Sequence, residues 1–122
     1  MALRFVLNAT TSITLITHMS TQSRKHRGYR TQRVVAEYLR AWYPYAEPTG
    51  AGRQGSDILG TPFDVEVKAV TKFSPLGWIK QIKERKSDKL AFVVLRCNGQ
   101  GEKAGDYVVL LPLQDFMKVL NG

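Results

Sequence analysis

The chain has a single cysteine, Cys97, among its 122 residues. One thiol excludes an internal disulfide framework and a zinc site built from several cysteines. The apolar run over residues 92–97 is typical of the end of a strand, so we expect a structural cysteine, with a reactive thiol as the alternative. A lone cysteine also suits a reducing compartment, and the expected location is the cytoplasm.

Long apolar runs are also missing. Residues 1–18 carry only one charge, but five polar residues interrupt them: Asn8, Thr10, Thr11, Ser12 and Thr14. The stretch is too short and too polar to span a bilayer, and no small-residue cleavage site follows it. We therefore expect no membrane partner. The segment is either an extra strand or hairpin or an upstream extension, since Met19 reads as a second start.

Acidic residues are scarce. The chain has 18 Lys and Arg against 10 Asp and Glu, which gives a formal net charge of +8. Seven basic residues lie between Arg24 and Arg53, and seven more lie between Lys68 and Lys89. Such clustering favours a polyanionic partner, with nucleic acid ahead of an anionic membrane because no basic amphipathic helix with an aromatic face occurs. A surface charged only for solubility is the alternative.

A phosphate-binding loop of the Gly-Lys-Ser/Thr type is absent, although three glycines fall within residues 50–55. Residues 45–56 are predicted to be a loop, in which glycine permits positive φ angles and close approach of the backbone to a ligand. The loop leads directly into Asp57. We therefore expect it to border a functional site, with a plain connection as the alternative.

Hydrophobic periodicity predicts the element order α-β-β-α-β-β-α. After a basic arm at residues 20–30, the first helix is expected over residues 31–42, with four residues facing the core: Val35, Tyr38, Leu39 and Trp42. The remaining elements are a hairpin of residues 57–59 and 63–70, a helix at 75–86, strands at 90–96 and 107–111, and a helix at 113–120. Trp78, Ile79 and Ile82 are expected to face the core.

The strand that begins at Phe63 alternates with period two. Asp64, Glu66 and Lys68 are expected on one face, with Asp57 at the end of the preceding apolar run. Two carboxylates and an ammonium at one place are costly unless something compensates, and a divalent metal with a phosphate would do so. The alternative is an exposed sheet face with a cross-strand ion pair. We expect Asp64 at the rim of the site.

The element order and these motifs resemble the PD-(D/E)xK nuclease superfamily and, within it, the small Holliday-junction resolvases of the archaeal and phage type. Asp57 stands where the family has its first metal-binding aspartate, and Glu66-Val67-Lys68 stands as its Glu-x-Lys. Residues 27–33 are similar to the basic-Gly-x-x-x-Glu-Arg run of the resolvases. The resemblance covers about residues 24–97. It implies an α/β, restriction-endonuclease-like core with a central mixed sheet flanked by helices, in a nuclease domain over residues 24–122 preceded by an N-terminal extension, residues 1–23.

This resemblance implies a metal-dependent, structure-selective DNA endonuclease that leaves 5′-phosphates, in the host cytoplasm if a phage encodes it. Asp57, Glu66 and the Val67 carbonyl would coordinate Mg²⁺, for which Mn²⁺ can substitute, and Lys68 would orient a water and stabilise negative charge. Four-way junctions or other branched DNA are the expected partner, and a homodimer would supply two sites for two symmetric cuts. The alternatives are a restriction-like or repair nuclease and a catalytically decayed nucleic-acid-binding protein.

Two positions depart from the family pattern. Ser56 stands in place of the proline before the aspartate, and Gln32 stands in place of a glutamate in the first helix. Helical geometry places Gln32 about 60° and Glu37 about 200° from Val35, so Gln32 is the expected site residue and Glu37 the alternative. Gln81 is a candidate polar residue directed towards the site, with a solvated helix face as the alternative. Contacts with nucleic acid are expected from Arg24, Lys25, Arg27, Arg30, Arg33, Arg53, Ser56 and Lys72.

Overall fold

The structure, a computed structural model, describes residues 26–50 and 54–122. Helix α1 occupies residues 26–39. The elements that follow are β1 (Glu47–Pro48), β2 (Ile58–Leu59), β3 (Phe63–Lys68), α2 (Pro75–Glu84), β4 (Leu90–Leu95), a 3-10 turn (Ala104–Asp106), β5 (Val108–Leu110) and α3 (Leu113–Asn121). The chain is therefore α/β, and the short strand β1 is the addition to the predicted order. The predicted N-terminal extension, residues 1–23, lies outside the described residues.

Strand β4 lies in the middle of a mixed sheet. It pairs in parallel with β3, with Phe63 opposite Leu90 and Lys68 opposite Leu95, and antiparallel with β5. The strand order is β3-β4-β5. The chain passes from β3 to β4 through α2, because parallel neighbours need a crossover connection. The expectation of a mixed sheet with helices is confirmed at this level.

Two apolar clusters lie on opposite faces of this sheet, because successive residues of a strand point to opposite sides. The cluster that includes α1 contains Val35, Ala36, Ala46, Ile58, Val65, Val67, Val94 and Tyr107. The cluster that includes α2 contains Trp78, Ile82, Val93 and Leu95, with Ile79 and Cys97 packed against it. The core residues expected on α2 are thus confirmed, and α2 covers the face of β4 opposite to α1.

The buried side of α1 differs from the predicted stripe. Tyr38 is 47% exposed, and Trp42, beyond the end of the helix, is 61% exposed. Their rings contact each other at the surface, with centroids 5.4 Å apart. Val35 is buried as predicted and Leu39 packs against the core, but the fully buried side is centred on Thr31, Val35 and Ala36. The helix also includes residues 26–30, which the sequence assigns to the basic arm.

Strand β2 does not form the expected hairpin ladder with β3. It pairs antiparallel with β1, with Glu47 opposite Leu59. Its connection to β3 comes from the residues just before it, since the Asp57 N–H donates to the Val65 carbonyl at 2.7 Å. The reason lies in the turn at Gly60, where the backbone passes directly against the carbonyl of Tyr45 and brings β2 alongside β1.

Helix α3 ends the chain, within one residue of its predicted bounds. None of its residues is buried, and Leu113 and Leu120 are 73% and 61% exposed. Across residues 26–50 and 54–122, no helix combines the length and the apolar character that crossing a bilayer requires.

Replacement of Gly60 by alanine is expected to lower the free energy of unfolding by about 3 kcal/mol. Its φ is +79°, and a Cβ at this position would lie 2.1 Å from the Tyr45 carbonyl oxygen. Gly99→Ala is the matched control, because φ is +91° there but no described atom lies within 4 Å of the Cβ position. That change is expected to cost about 1 kcal/mol. Urea unfolding measures both, and equal losses would contradict the importance of the Tyr45 contact.

Candidate functional site

Strand β3 presents an ionic face towards helix α2. Asp64 and Glu66 lie on this face and are only 4% and 7% exposed, and half-buried Lys68 follows them. The alternating side chains, Val65 and Val67, belong to the cluster with α1. Asp64 was expected at the rim, and this prediction is wrong because its carboxylate is buried under α2. The alternative, an exposed sheet face with a weak cross-strand ion pair, is also wrong, because Asp64 and Glu66 are both buried.

Arg85, at the C-terminal end of α2, binds both buried carboxylates. Its Nε and Nη2 donate to the two Asp64 oxygens at 3.2 and 2.7 Å, and its Nη1 donates to Glu66 Oε1 at 2.6 Å. Burial opposes the charged form, but the hydrogen bonds to Asp64 and Glu66 outweigh it and hold the pKa of Arg85 above its ordinary value. The guanidinium is thus a permanent positive charge within the site.

Sequence reasoning missed Arg85, although a signal for it was present. Gln81 and Arg85 are four residues apart and form one polar stripe on α2. Trp78 and Ile82, also four apart, form the neighbouring apolar stripe that packs on the sheet. A polar stripe beside a core stripe lies over the same sheet, so it can reach ionic residues on the next strand.

Gln81 and Lys68 complete the contacts around Glu66. Lys68 Nζ lies 3.2 Å from Glu66 Oε2 and donates to Gln81 Oε1 at 3.1 Å. The Gln81 amide nitrogen lies 3.5 Å from the same Glu66 oxygen. Gln81 is exposed at the helix surface, yet its amide contacts two of the expected site residues rather than solvent alone.

Asp57 reaches the same region from the residue just before β2. Its Oδ2 accepts the Val67 N–H at 2.7 Å, which fixes the carboxylate beside β3. Burial raises the pKa of Asp57 to about 6; the Val67 hydrogen bond opposes this rise and the charge of Glu66 adds to it. The ion pairs found at the site in the described part of the chain involve Asp64 and Glu66, so the Asp57 carboxylate lacks a paired cation there.

An open cleft of about 850 Å³ lies over these groups. The cleft is lined by Gln54, Gly55, Asp57, Glu66, Gln81, Glu84 and Arg85. Asp57 and Glu66 thus share one cavity, and the loop that precedes Asp57 borders it as expected. Asp64 is not among the lining residues, because Arg85 stands between it and the cleft.

The donors in this cleft suit a hard divalent cation. Mg²⁺ is commonly bound by one or two carboxylates, with water and substrate phosphate completing its coordination, and Asp57 and Glu66 supply that pair. Among the described residues, no ion pair involves Asp57, whereas Glu66 is paired with Arg85 and Lys68. No group of three or more His, Cys, Asp or Glu side chains within residues 26–50 and 54–122 is arranged to hold a metal. Coordination of the metal by the Val67 carbonyl stays a prediction.

Gln32 and Glu37 lie on different sides of α1. Gln32 is half-buried, and its Oε1 is buried without a hydrogen-bond partner in the described part of the chain, whereas Glu37 is exposed. The burial of the two residues agrees with the helix phase expected from the sequence. Neither residue lines the cleft that contains Asp57 and Glu66. A role of Gln32 in the site stays a prediction.

The residues expected to contact nucleic acid differ in their freedom to do so. Arg33 and Lys72 are exposed, whereas Arg30 pairs with Glu102 at 2.5 Å. Arg27 is half-buried, and its Nε is buried without a hydrogen-bond partner among the described residues. The Ser56 hydroxyl accepts the Val65 N–H at 2.9 Å and donates to the Ile58 carbonyl at 2.8 Å, so the fold itself uses it. Outside the described residues lie Arg24, Lys25 and Arg53.

Comparison of the chain with models of protein families, with curated proteins and with solved structures gives no match.

Asp57→Asn is expected to stabilise the metal-free protein at pH 7.5 by about 1–2 kcal/mol, a gain that solvent screening of a half-buried group keeps modest. The pKa of Asp57 in the folded protein, about 6, lies above its ordinary value of 3.8. Between these two values the folded protein holds a proton that the unfolded chain releases. The free energy of unfolding of the wild-type protein therefore falls as the pH rises from about 4 to above 6.

The measurement is thermal unfolding in EDTA between about pH 3.5 and pH 8. The gain from Asp57→Asn should vanish below about pH 4, where aspartate is protonated in both states. Asp88→Asn, at an exposed position, is the control and should change stability by less than about 0.5 kcal/mol. A gain that does not vary with pH would contradict the raised pKa of Asp57.

Proposed function

We propose that this chain is a Mg²⁺-dependent DNA endonuclease with a restriction-endonuclease-like core, of the PD-(D/E)xK kind. The observation that carries the proposal is the meeting of Asp57 and Glu66 at one cleft, with Lys68 in contact with Glu66. The Asp57 carboxylate has no paired cation among the described ion pairs, and this favours a cation ligand in the cleft. Mn²⁺ is expected to substitute for Mg²⁺.

Each residue of the site would have a defined part in phosphodiester hydrolysis. Asp57 and Glu66 would hold the metal, with the Val67 carbonyl as a further donor. When bound, Mg²⁺ supplies Lewis-acid polarisation of a phosphate. The Val67 N–H holds the Asp57 carboxylate in a fixed orientation, which lowers the cost of ordering it on binding. Lys68, held against Glu66 and Gln81, would orient the attacking water and stabilise negative charge on the phosphate oxygens.

The charge of the chain supports DNA as the substrate. A net charge of +8, with basic residues concentrated in residues 24–53 and 68–89 of the sequence, favours a polyanion. Four-way junctions or other branched DNA are the proposed targets, cut to leave 5′-phosphates. A homodimer would place two sites about a two-fold axis, as two symmetric cuts require. A restriction-like or repair nuclease would use the same residues on other DNA.

A catalytically inactive nucleic-acid-binding protein is the second candidate. The observation that favours it is the 2.6 Å ion pair between Arg85 and Glu66, which neutralises one of the two carboxylates in the cleft. Gln32, a neutral residue where the family has an acid, favours it as well.

Glu66→Gln and Lys68→Gln are each expected to lower the cleavage rate by about 100-fold or more. DNA affinity should stay within about threefold of wild type, because the basic surface supplies most of it. The assay uses labelled junction, fork, duplex and single-stranded DNA, each with Mg²⁺ and with EDTA. Asp88→Asn is the control for loss of one exposed acid and should cut as wild type does.

The outcomes of this assay separate the candidates. Cutting of the junction alone supports a resolvase, and equal cutting of duplex supports a restriction-like or repair nuclease. Tight binding without cutting in Mg²⁺ or Mn²⁺ indicates the inactive binding protein. Wild-type cutting by Glu66→Gln would contradict the proposed site.

A variant with four basic residues replaced by glutamine is expected to bind all DNA sequences more weakly, and to the same extent. The replaced residues are Arg24, Lys25, Arg27 and Arg30. Phosphate contacts carry no sequence information, and each lost contact should lower the slope of log K against log salt by roughly 0.9. Fluorescence anisotropy over a range of salt concentrations measures this slope. Glu102→Gln is the control, because it frees Arg30 from its 2.5 Å ion pair and should not weaken binding. An unchanged slope in the fourfold variant would show that these residues do not contact the phosphates.

A further inference from the structure

Arg85 holds its two carboxylate partners unequally. The Asp64 carboxylate receives two hydrogen bonds, from Nε and Nη2, whereas Glu66 receives one, from Nη1. Two parallel bonds from a planar guanidinium to one carboxylate are the stronger arrangement. Arg85 can therefore release Glu66 and still keep a neutralising partner.

The two carboxylates also differ in their access to the cleft. Glu66 lines the cavity together with Asp57, whereas Asp64 does not. Asp64 is also the more buried of the two, at 4% exposed. Its position suits a support for Arg85 rather than a ligand of anything in the cleft.

The charges at this place explain why such a support is needed. Asp64 and Glu66 bring two buried carboxylates together, and Asp57 lines the same cleft as Glu66. The described cations in contact with Asp64 and Glu66 are Arg85 and Lys68. Buried like charges repel strongly unless a cation separates them. Among the described residues, the Arg85 guanidinium is the cation that contacts both buried carboxylates.

We propose that Arg85 is a positioning residue that pairs with Glu66 when no divalent cation is bound there. Asp64 is the partner that Arg85 keeps in both states. This inference rests on the proposed metal-dependent function and concerns how the same site is regulated. Arg85 competes with the metal for Glu66, and Asp64 weakens that competition by retaining the guanidinium when Glu66 is taken up by the metal. The buried Asp64, which the hydrolytic mechanism does not use, thereby acquires a role.

The test is Mn²⁺ binding to the protein without DNA, followed by electron paramagnetic resonance at constant ionic strength, with Mg²⁺ as the competitor. Arg85→Gln should bind Mn²⁺ roughly tenfold more tightly than wild type, because the competing hydrogen-bonded ion pair is gone. Asp64→Asn should bind roughly tenfold more weakly, because Arg85 then has only Glu66 to neutralise it. Lys80→Gln, at an exposed position of the same helix, should bind as wild type does.

A double-mutant cycle separates this proposal from a general effect of charge. If Asp64 acts through Arg85, Asp64→Asn should have no further effect once Arg85→Gln is present. Additive effects of the two substitutions would overturn the proposal, since they would show that each charge acts on the metal independently. Equal Mn²⁺ affinity of Arg85→Gln and wild type would overturn it as well.

A measurement on the wild-type protein covers the case in which Arg85→Gln does not fold. The ¹⁵N side-chain resonances of Arg85 should shift on addition of Mg²⁺, and those of Arg33, exposed on α1, should not. No shift at Arg85 despite Mn²⁺ binding would overturn the proposal and leave the proposed nuclease function standing. No binding of Mn²⁺ to wild type or any variant would refute the metal site itself, and this inference with it.

Discussion

The site depends on one ionic contact between a helix and a strand. The Arg85 guanidinium makes three hydrogen bonds of 2.6 to 3.2 Å to Asp64 and Glu66, both of which are shielded from water. Each ion taken from water costs several kcal/mol, which the pairing recovers only when the geometry satisfies every partner. Loss of one partner in such a network costs about 3–5 kcal/mol, so the end of α2 and the ionic face of β3 are fixed relative to each other.

Helix α2 can serve both the core and the site because its two stripes lie over two different strands. Trp78 and Ile82 pack against Val93 and Leu95 of β4. The next stripe carries Gln81 and Arg85, which reach the ionic residues of β3. The cleft therefore opens at the β3 side of the sheet, and the strongly apolar β4 remains covered.

The free edge of β3 is closed by side chains as well as by backbone. The Ser56 hydroxyl accepts the Val65 N–H, and the Asp57 carboxylate accepts the Val67 N–H, while the Asp57 N–H donates to the Val65 carbonyl. These bonds replace part of a strand ladder and protect an edge that would otherwise be open to pairing. They also position the Asp57 carboxylate over the cleft. Ser56 is thus part of what places the aspartate.

The sequence by itself determined what depends on near neighbours along the chain. The period-two alternation of residues 63–68 sorted ionic from apolar side chains, and the spacing of Trp78 and Ile82 identified the buried stripe of α2, because side-chain direction follows from local backbone geometry. Only the tertiary structure decided the rest. Arg85 meets Asp64 across 21 residues of chain, Tyr38 lies at the surface while Thr31 and Ala36 are buried, and β2 pairs with β1. These outcomes depend on which distant surfaces pack together, and residue spacing along the chain does not contain that information.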